Sequence, residues 1–160
     1  VLSHLRSPET LHEKVPPGLK AELRPYQQMG YGWLRFLARL GLGACLADDM
    51  GLGKTVQVIS LLLELKRDNA SEASLLVVPA SLIANWKSEL AKFAPTLSYA
   101  VVHPSESAGQ QASAGSANAN SFDLIVTTYG MLVRLGWIRR HRWHLAILDE
   151  AQAIKNSGTK

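Results

Sequence analysis

Apolar and polar residues alternate along this chain in blocks whose lengths separate strands from helices. Short, mainly apolar runs predict five strands, and these runs are Ala44–Ala47, Leu75–Val78, Leu97–Val102, Asp123–Thr127 and Leu145–Leu148. Longer segments with helical spacing lie between several of them. Strands that alternate with helices predict an α/β fold with a mostly parallel sheet and helices on both faces.

Three segments repeat apolar residues at helical spacing. The first begins at Pro25, where proline is tolerated, and ends at Gly41 and Gly43. Its apolar residues at helical spacing are Met29, Trp33, Phe36, Leu37 and Leu40. The second, Val56–Lys66, is too long and too leucine-rich for a strand. The third follows Ser81, the expected N-cap, and it carries on one face Leu82, Ile83, Trp86, Leu90 and Phe93.

Four turns follow predicted strands, and they are Leu46–Thr55, Pro79–Ala80, Thr127–Thr128 and Asp149–Glu150. Ligands of parallel sheets bind beyond the carboxyl ends of the strands. We therefore expect all four turns to line one edge of the sheet.

The glycine-rich turn has the residues that bind a nucleotide phosphate at a helix N-terminus. Gly51 and Gly53 let the backbone approach the phosphate closely. Lys54 would reach the β- and γ-phosphates, and the Thr55 hydroxyl would ligate Mg²⁺. Asp48 stands where the general phosphate-binding pattern has its first glycine, so a glycine turn with a solvated lysine is the alternative.

An apolar run that ends in Asp149 and Glu150 supplies the second half of the predicted site. At this position of a P-loop enzyme, Asp149 would hold Mg²⁺, usually through water, and Glu150 would polarise the attacking water. Two carboxylates beside a triphosphate repel it unless a cation is present, so the pair implies Mg²⁺. Alternatively, both acids only favour the N-terminus of the next helix.

Composition places the chain among ordinary globular proteins, with 47% hydrophobic and 19% charged residues. No apolar run is long enough to span a bilayer, and no signal-peptide core precedes the fold. The single cysteine, Cys45, is expected to be a core residue rather than a nucleophile. We expect a cytoplasmic, nucleoid-associated protein, or a nuclear one in a eukaryote. The net charge of +4 is compatible with a polyanionic partner without deciding the question.

Two segments differ from the rest of the chain. Residues 1–20 contain several prolines and predict a linker or the tail of a preceding domain, with one lobe over residues 21–160. Residues 105–121, rich in serine, alanine, glycine and asparagine, predict a flexible loop. A cluster of basic and aromatic residues suits a nucleic-acid backbone, or else a solvated connection. It consists of Arg134, Trp137, Arg139, Arg140, His141, Arg142 and Trp143.

The chain resembles the first motor lobe of the SWI/SNF-type ATPases, the chromatin-remodelling branch of superfamily two helicases. The resemblance runs from Leu19 to Asn156 and rests on five motifs in the family's order. These are LRPYQQMGYGWL, LADDMGLGKT, LLVVPASLIANW, DLIVTTYGML and ILDEAQAIKN. The family has acidic residues at the position of Asp48. Gln152 replaces the family's common histidine and looks like a bacterial variant, which leaves its coupling role open.

The resemblance implies a RecA-like P-loop lobe, incomplete at its C-terminal end, that binds ATP and Mg²⁺. By this resemblance Gln27 hydrogen-bonds the adenine edge, although an exposed helix glutamine is the alternative. The other implied ATP-binding residues are Asp49, Met50, Gly51, Leu52, Gly53, Lys54 and Thr55. Ser81, Thr127 and Thr128 match motifs that face DNA in the family, with helix capping as the alternative. Trp86 matches a family tryptophan expected in the core.

The resemblance also implies what the parent protein does. We expect a DNA-stimulated ATPase that moves along double-stranded DNA without separating strands and remodels a DNA-bound protein. A second RecA-like lobe would supply the arginine finger, so these residues alone should bind ATP but hydrolyse it poorly. Two other classes stay open: a degenerate nucleotide-binding scaffold, and a P-loop enzyme that acts on RNA or a small molecule.

Overall fold

The computed structural model describes residues 15–47, 53–68, 71–106 and 117–154. Its helices are α1 (Pro25–Arg39), α2 (Lys54–Arg67), α3 (Ile83–Phe93), α4 (Tyr129–Arg134) and α5 (Gly136–Arg140). Its strands are β1 (Ser74–Val78), β2 (Tyr99–Val102), β3 (Leu124–Thr128) and β4 (Ala146–Leu148), and 3₁₀ turns cover Ala80–Leu82, Ala119–Ser121 and Ala151–Ile154. None of the helices in these ranges combines the length and apolarity that a membrane crossing requires.

The described residues form two compact units. The first contains the residues up to Asp68 together with Ser88–Thr96, and it includes α1 and α2. The second contains the described residues between Asp68 and Ser88 and those from Leu97 onward, and it includes the sheet.

The sheet has four parallel strands in the order β2-β3-β1-β4. Every residue of β1 and β3 is buried, as expected for strands covered on both faces. On one face, Leu75 and Ile125 join a core cluster that includes Ile138 of α5. The prediction of a parallel α/β sheet flanked by helices is confirmed. Four of the five predicted strands form close to their expected bounds.

The first of the predicted strands, Ala44–Ala47, does not form. These residues have no regular structure, and Cys45 is exposed. The predictions of a buried strand and of a core cysteine are therefore wrong. An apolar run becomes a strand only where a neighbouring strand completes its backbone hydrogen bonds. Among the described residues no strand pairs with this run, and β4 pairs with β1 alone.

Helix α1 buries Leu37 from its apolar set at helical spacing, and it adds Tyr31 and Leu34 from outside that set. Tyr31, Leu34 and Leu37 are buried, whereas Leu40 is exposed and Trp33 is only half-buried. The helix has two apolar stripes, so its sequence alone does not select between them. A polar contact with α2 selects the stripe that carries Tyr31.

Glu64 is the centre of that polar contact, and it is buried within α2. It accepts hydrogen bonds from the Tyr31 hydroxyl at 3.1 Å and from Arg35 Nε at 2.9 Å, both on α1. Arg67 Nη2 lies 2.5 Å from the same carboxylate, and Arg39 Nη2 lies 3.8 Å away. This network joins α1 to α2.

The described part of the expected linker packs on the first unit. The backbone N–H of Lys20 donates to the carbonyl of Phe93 at 2.7 Å, and Val15 and Leu19 pack against a small core that contains Tyr31. Residues 15–20 therefore contact the first unit, and the assignment of residues 1–20 as a linker or the tail of a preceding domain stays a prediction. The prediction for residues 1–14 lies outside the described residues.

Part of the expected flexible loop is also packed. Ala119 is fully buried beside the sheet, and Asn120 Oδ1 accepts a hydrogen bond from the backbone N–H of Ala73 at 3.1 Å. Ala119 fills a core position because its side chain is small, whereas its neighbours at 117, 118, 120 and 121 are exposed, and the flexible loop over residues 105–121 stays a prediction. Residues 107–116 lie outside the described residues.

Candidate nucleotide and metal site

Helix α2 begins at the predicted glycine turn. Gly53 is its N-cap residue and has a left-handed φ of +75°, which a glycine adopts without strain. Lys54 and Thr55 form the start of the helix and are half-buried. The first turn of a helix offers backbone N–H groups that have no helical partner, so it suits an anion. Asp49, Met50, Gly51 and Leu52 lie outside the described residues.

Gln27 lies directly against this turn. Its side chain is buried, and its Oε1 accepts a hydrogen bond from the backbone N–H of Arg24 at 2.9 Å. That bond fixes the amide so that Nε2 faces Gly53, where an added Cβ would collide with it. The alternative of an exposed helix glutamine is therefore wrong. Gly53 is required both for its backbone conformation and for this close approach.

Asp149 follows β4 and is held at four points. Its backbone N–H donates to the carbonyl of Val77 on β1 at 2.9 Å, which extends the sheet by one bond. Its Oδ2 accepts from Trp86 Nε1 at 2.8 Å, and its Oδ1 accepts from the backbone N–H of Glu150 at 3.0 Å. Its carbonyl accepts from the Tyr129 hydroxyl at 2.7 Å. The carboxylate and the backbone at Asp149 are therefore both fixed.

Glu150 has an unusual backbone for a residue other than glycine. Its φ is +50°, a left-handed conformation that costs on the order of 1–3 kcal/mol and occurs at functional sites. The side-chain amide of Gln152 donates to the Glu150 carboxylate. The next segment, Ala151–Ile154, is a 3₁₀ turn rather than an α-helix. Favouring a helix N-terminus is therefore a weak explanation for the acidic pair.

The acidic pair affects the pKa of the Tyr129 hydroxyl. Burial raises its pKa above the ordinary value of 10.0, and the charges of Asp149 and Glu150 raise it further. The hydroxyl therefore stays protonated at neutral pH and acts as a hydrogen-bond donor.

The donors around Asp149 fit Mg²⁺ held partly by water and phosphate. Within the described ranges no group of three or more histidine, cysteine or acidic side chains could hold a metal. Mg²⁺ usually takes one or two carboxylates and completes its shell with water and substrate phosphates. Each oxygen of Asp149 accepts one protein hydrogen bond and keeps a further lone pair. A single carboxylate ligand of this kind matches the preference of Mg²⁺.

The three residues predicted to face DNA have different environments. Thr127 is fully buried, and its hydroxyl donates to the carbonyl of Val102 at 3.0 Å. The hydroxyl of Thr127 already has a hydrogen-bond partner inside the sheet, and a DNA contact for this residue stays a prediction. Thr128 is buried and caps α4 by accepting from the backbone N–H of Met131 at 3.4 Å, so the capping alternative holds for it. Ser81 is the exposed member of the three.

Ser81 does not cap α3 as predicted. It lies within the 3₁₀ turn Ala80–Leu82, and α3 begins at Ile83. The turn follows β1 just as Thr128 ends β3 and Asp149 follows β4. Because these strands are parallel, Ser81, Thr128 and Asp149 lie at the same edge of the sheet. The shared edge is confirmed for these three turns, whereas the glycine turn follows no strand in the described residues.

The basic and aromatic cluster lies at the opposite edge of the sheet, before the strands begin. Arg142 Nε pairs with Glu72 at 2.9 Å, and His141 Nε2 lies 3.1 Å from Asn120 Oδ1. Trp143 Nε1 donates to the carbonyl of Ile138 at 2.8 Å. Because these side chains are engaged by other residues of the chain, the contacts favour the interpretation of a solvated connection before β4.

Sequence reasoning missed Trp86 and Tyr129 as neighbours of the acidic pair. Trp86 was expected in the core, and it is buried. A buried tryptophan needs a hydrogen-bond partner for its N–H group, which is the signal that could have raised the question. No sequence signal indicates that the partner is Asp149, 63 positions away.

The parallel sheet flanked by helices is that of a RecA-like lobe of the P-loop nucleotide-binding proteins. A profile of the SNF2-related domain matches residues 26–160. The chain therefore belongs to the SNF2-related family, and the resemblance found in its motifs is confirmed.

Solved structures from this family are similar to the chain. The SWI2/SNF2 ATPase core of Sulfolobus solfataricus in complex with double-stranded DNA matches with a TM-score of 0.81 and 42% identity, over 92% of this chain and 30% of that one. The ATPase core domain of the same organism matches with a TM-score of 0.76 and 43% identity, over 94% and 29%.

Relatives of known name are much longer than this chain. YwqA of Bacillus subtilis, named as a helicase/translocase, is 42% identical over all of this chain, which spans 18% of YwqA. Helicase SWR1 of Debaryomyces hansenii is 41% identical over 89% of this chain, which spans 9% of SWR1. Helicase domino of Drosophila melanogaster is 38% identical over 89%, which is 4% of domino.

Proposed function

We propose that this chain is the ATP-binding lobe of a DNA-dependent ATPase that moves along double-stranded DNA and remodels DNA-bound proteins. The observation that carries the proposal is the buried Gln27 amide against Gly53 at the start of α2. This contact places the Gln27 amide, which can bind a base, next to the turn that is proposed to bind phosphates. Family membership supports the same function.

In this proposal the first unit binds the nucleotide. Backbone N–H groups at the start of α2 and the Lys54 ammonium bind the phosphates. The Nε2 group of Gln27 donates to an acceptor on the adenine edge, because its Oε1 is engaged by the backbone of Arg24. Asp49, Met50, Gly51 and Leu52 complete the phosphate loop by their match to the family motif.

Asp149 and Glu150 are the proposed catalytic acids, together with Lys54. Thr55 and Asp149 are the residues that would hold Mg²⁺, which supplies positive charge to the phosphate oxygens when bound. Glu150 orients the attacking water and accepts its proton. Gln152 donates to the Glu150 carboxylate and so restricts its orientation.

This lobe alone should hydrolyse ATP slowly. Phosphoryl transfer needs further positive charge on the γ-phosphate, and in the family a second RecA-like lobe supplies it as an arginine finger. The loss of such a finger costs roughly 10³ to 10⁵ in rate in P-loop enzymes. We therefore assign hydrolysis to the full-length protein and nucleotide binding to this lobe.

Double-stranded DNA is the proposed partner at the carboxyl edge of the sheet. Ser81 is exposed there, and its hydroxyl can donate to a phosphate oxygen, which positions a duplex without reading its sequence. The Sulfolobus solfataricus relative has been solved in complex with double-stranded DNA, which supports the same partner. The remodelled protein would be selected by other parts of the full-length protein.

The test is the ATPase rate of the full-length protein and of this lobe, with and without double-stranded DNA. We expect duplex DNA to stimulate the full-length protein, the lobe to be nearly inactive, and Lys54→Ala to abolish the activity. Lys66→Ala is the control at the other end of the same helix. Lys66 Nζ contacts the carbonyl of Thr96 rather than the glycine turn, so this change should leave the rate as it is. ATP hydrolysis that ignores duplex DNA but responds to RNA would contradict the DNA partner. If the full-length protein bound ATP without hydrolysing it, that result would indicate a scaffold.

A further inference from the structure

Trp86 donates its indole N–H to the metal-binding aspartate of the proposed site. We propose that Trp86 is a positioning residue that orients the Asp149 carboxylate for Mg²⁺, with Tyr129 fixing the backbone of the same aspartate. The proposal rests on the ATPase function proposed above. It assigns a catalytic consequence to a tryptophan that the sequence indicates only as core.

The bond between Trp86 and Asp149 has the properties of an orienting contact. Trp86 is only 3% exposed, and its Nε1 lies 2.8 Å from Asp149 Oδ2. A hydrogen bond to an ionised carboxylate is about twice as strong as one between neutral groups. Breaking it would leave a buried N–H without its partner, which is unfavourable. The carboxylate therefore has a strong preference for one orientation.

Another tryptophan in the same unit satisfies its indole N–H in a different way. Trp143 is half-buried, and its Nε1 donates at 2.8 Å to the backbone carbonyl of Ile138. A backbone carbonyl therefore suffices to satisfy an indole N–H in this fold. Trp86 instead donates to one oxygen of the carboxylate that follows β4.

Tyr129 completes the support from a second helix. Its hydroxyl donates to the carbonyl of Asp149 at 2.7 Å, immediately before the left-handed Glu150. Trp86 lies on α3 and Tyr129 is the first residue of α4, so two helices fix one residue. Groups that hydrogen-bond a metal ligand in this way usually change metal affinity or activity by about 10- to 100-fold when they are removed.

The experiment measures Mg²⁺ dependence rather than activity alone. Each variant is made in the full-length protein with Glu150→Gln, which blocks hydrolysis, and a fluorescent ATP analogue is bound while Mg²⁺ is titrated. Trp86→Phe removes the N–H group and keeps an aromatic ring in the core. Trp143→Phe is the matched control, because it removes an indole hydrogen bond of the same length elsewhere in the unit. Tyr129→Phe removes the hydroxyl alone.

We expect Trp86→Phe to raise the half-saturating Mg²⁺ concentration about tenfold, with nucleotide affinity in EDTA unchanged. Trp143→Phe should leave both values as they are. An unchanged Mg²⁺ midpoint in Trp86→Phe would overturn the proposal, and so would equal shifts in both tryptophan variants. If Trp86→Phe does not fold, a wild-type midpoint in Tyr129→Phe overturns it. A parent protein whose nucleotide binding ignores Mg²⁺ would instead refute the proposed ATPase site.

Discussion

Removing the buried Glu64 carboxylate should loosen the pairing of α1 with α2. The Glu64 side chain is only 4% exposed, and the Arg35 side chain that it binds is 13% exposed. Removing one partner of a buried ion pair typically costs about 3–5 kcal/mol. Arg39 and Arg67 are about half exposed and screened by water, so their share is small. We expect Glu64→Ala to lower the free energy of unfolding by about 3 kcal/mol.

Denaturant unfolding of the full-length protein or of this lobe measures that loss. Glu106→Ala is the matched control, because its carboxylate pairs at 3.0 Å with Lys87, whose side chain is 39% exposed. A pair of this kind contributes about 1 kcal/mol or less. Glu64→Ala should also weaken ATP binding, because α1 carries Gln27. A Glu64→Ala loss no larger than that of Glu106→Ala would refute the reasoning.

Three further predictions concern the site and the sheet edge. Gly53→Ala should abolish ATP binding, because the new methyl group meets Gln27 and the left-handed backbone is strained; wild-type affinity by fluorescence titration would contradict this. Thr127→Val should lower the free energy of unfolding by about 1 kcal/mol without changing duplex affinity. Ser81→Asp should weaken duplex binding without changing stability. Fluorescence anisotropy measures the binding and thermal melts the stability, and unchanged duplex affinity in Ser81→Asp would exclude Ser81 as the contact. Because the Tyr129 pKa is raised above 10.0 in the folded state, the unfolded chain loses that proton first. The contribution of Tyr129 to stability should therefore be fully present below about pH 10 and be lost as pH rises further, and a fall of equal size in Tyr129→Phe would contradict this origin.

Several features of the site could be predicted from the sequence because they depend on local chemistry. A glycine followed by Lys54 and Thr55 and a leucine-rich segment predicts a helix that starts at a phosphate-binding turn, and α2 starts there. The acidic pair after an apolar run predicts Asp149 and Glu150 at the end of a strand, and β4 ends immediately before them. Each of these depends on residues that are neighbours in the chain.

The contacts that position these groups could not be predicted, because they join residues far apart in sequence. Trp86 meets Asp149 across 63 positions, and Tyr31 meets Glu64 across 33. Apolar spacing indicates that Trp86 is buried, but it does not indicate where its N–H points. The choice between two apolar stripes on α1 depended on a carboxylate in another helix.

By itself the sequence determined the type and order of most helices and strands and the chemistry of the two motifs, because backbone preference, apolar period and side-chain charge are local properties. The tertiary structure decided which of these preferences took effect. It buried Thr127 inside the sheet, packed Ala119 into the core and, within the described part of the chain, left Ala44–Ala47 without a strand partner. It also placed Gln27 against Gly53 and Trp86 against Asp149. Burial and hydrogen-bond partners depend on which segments meet in space, and a local pattern carries no information about that meeting.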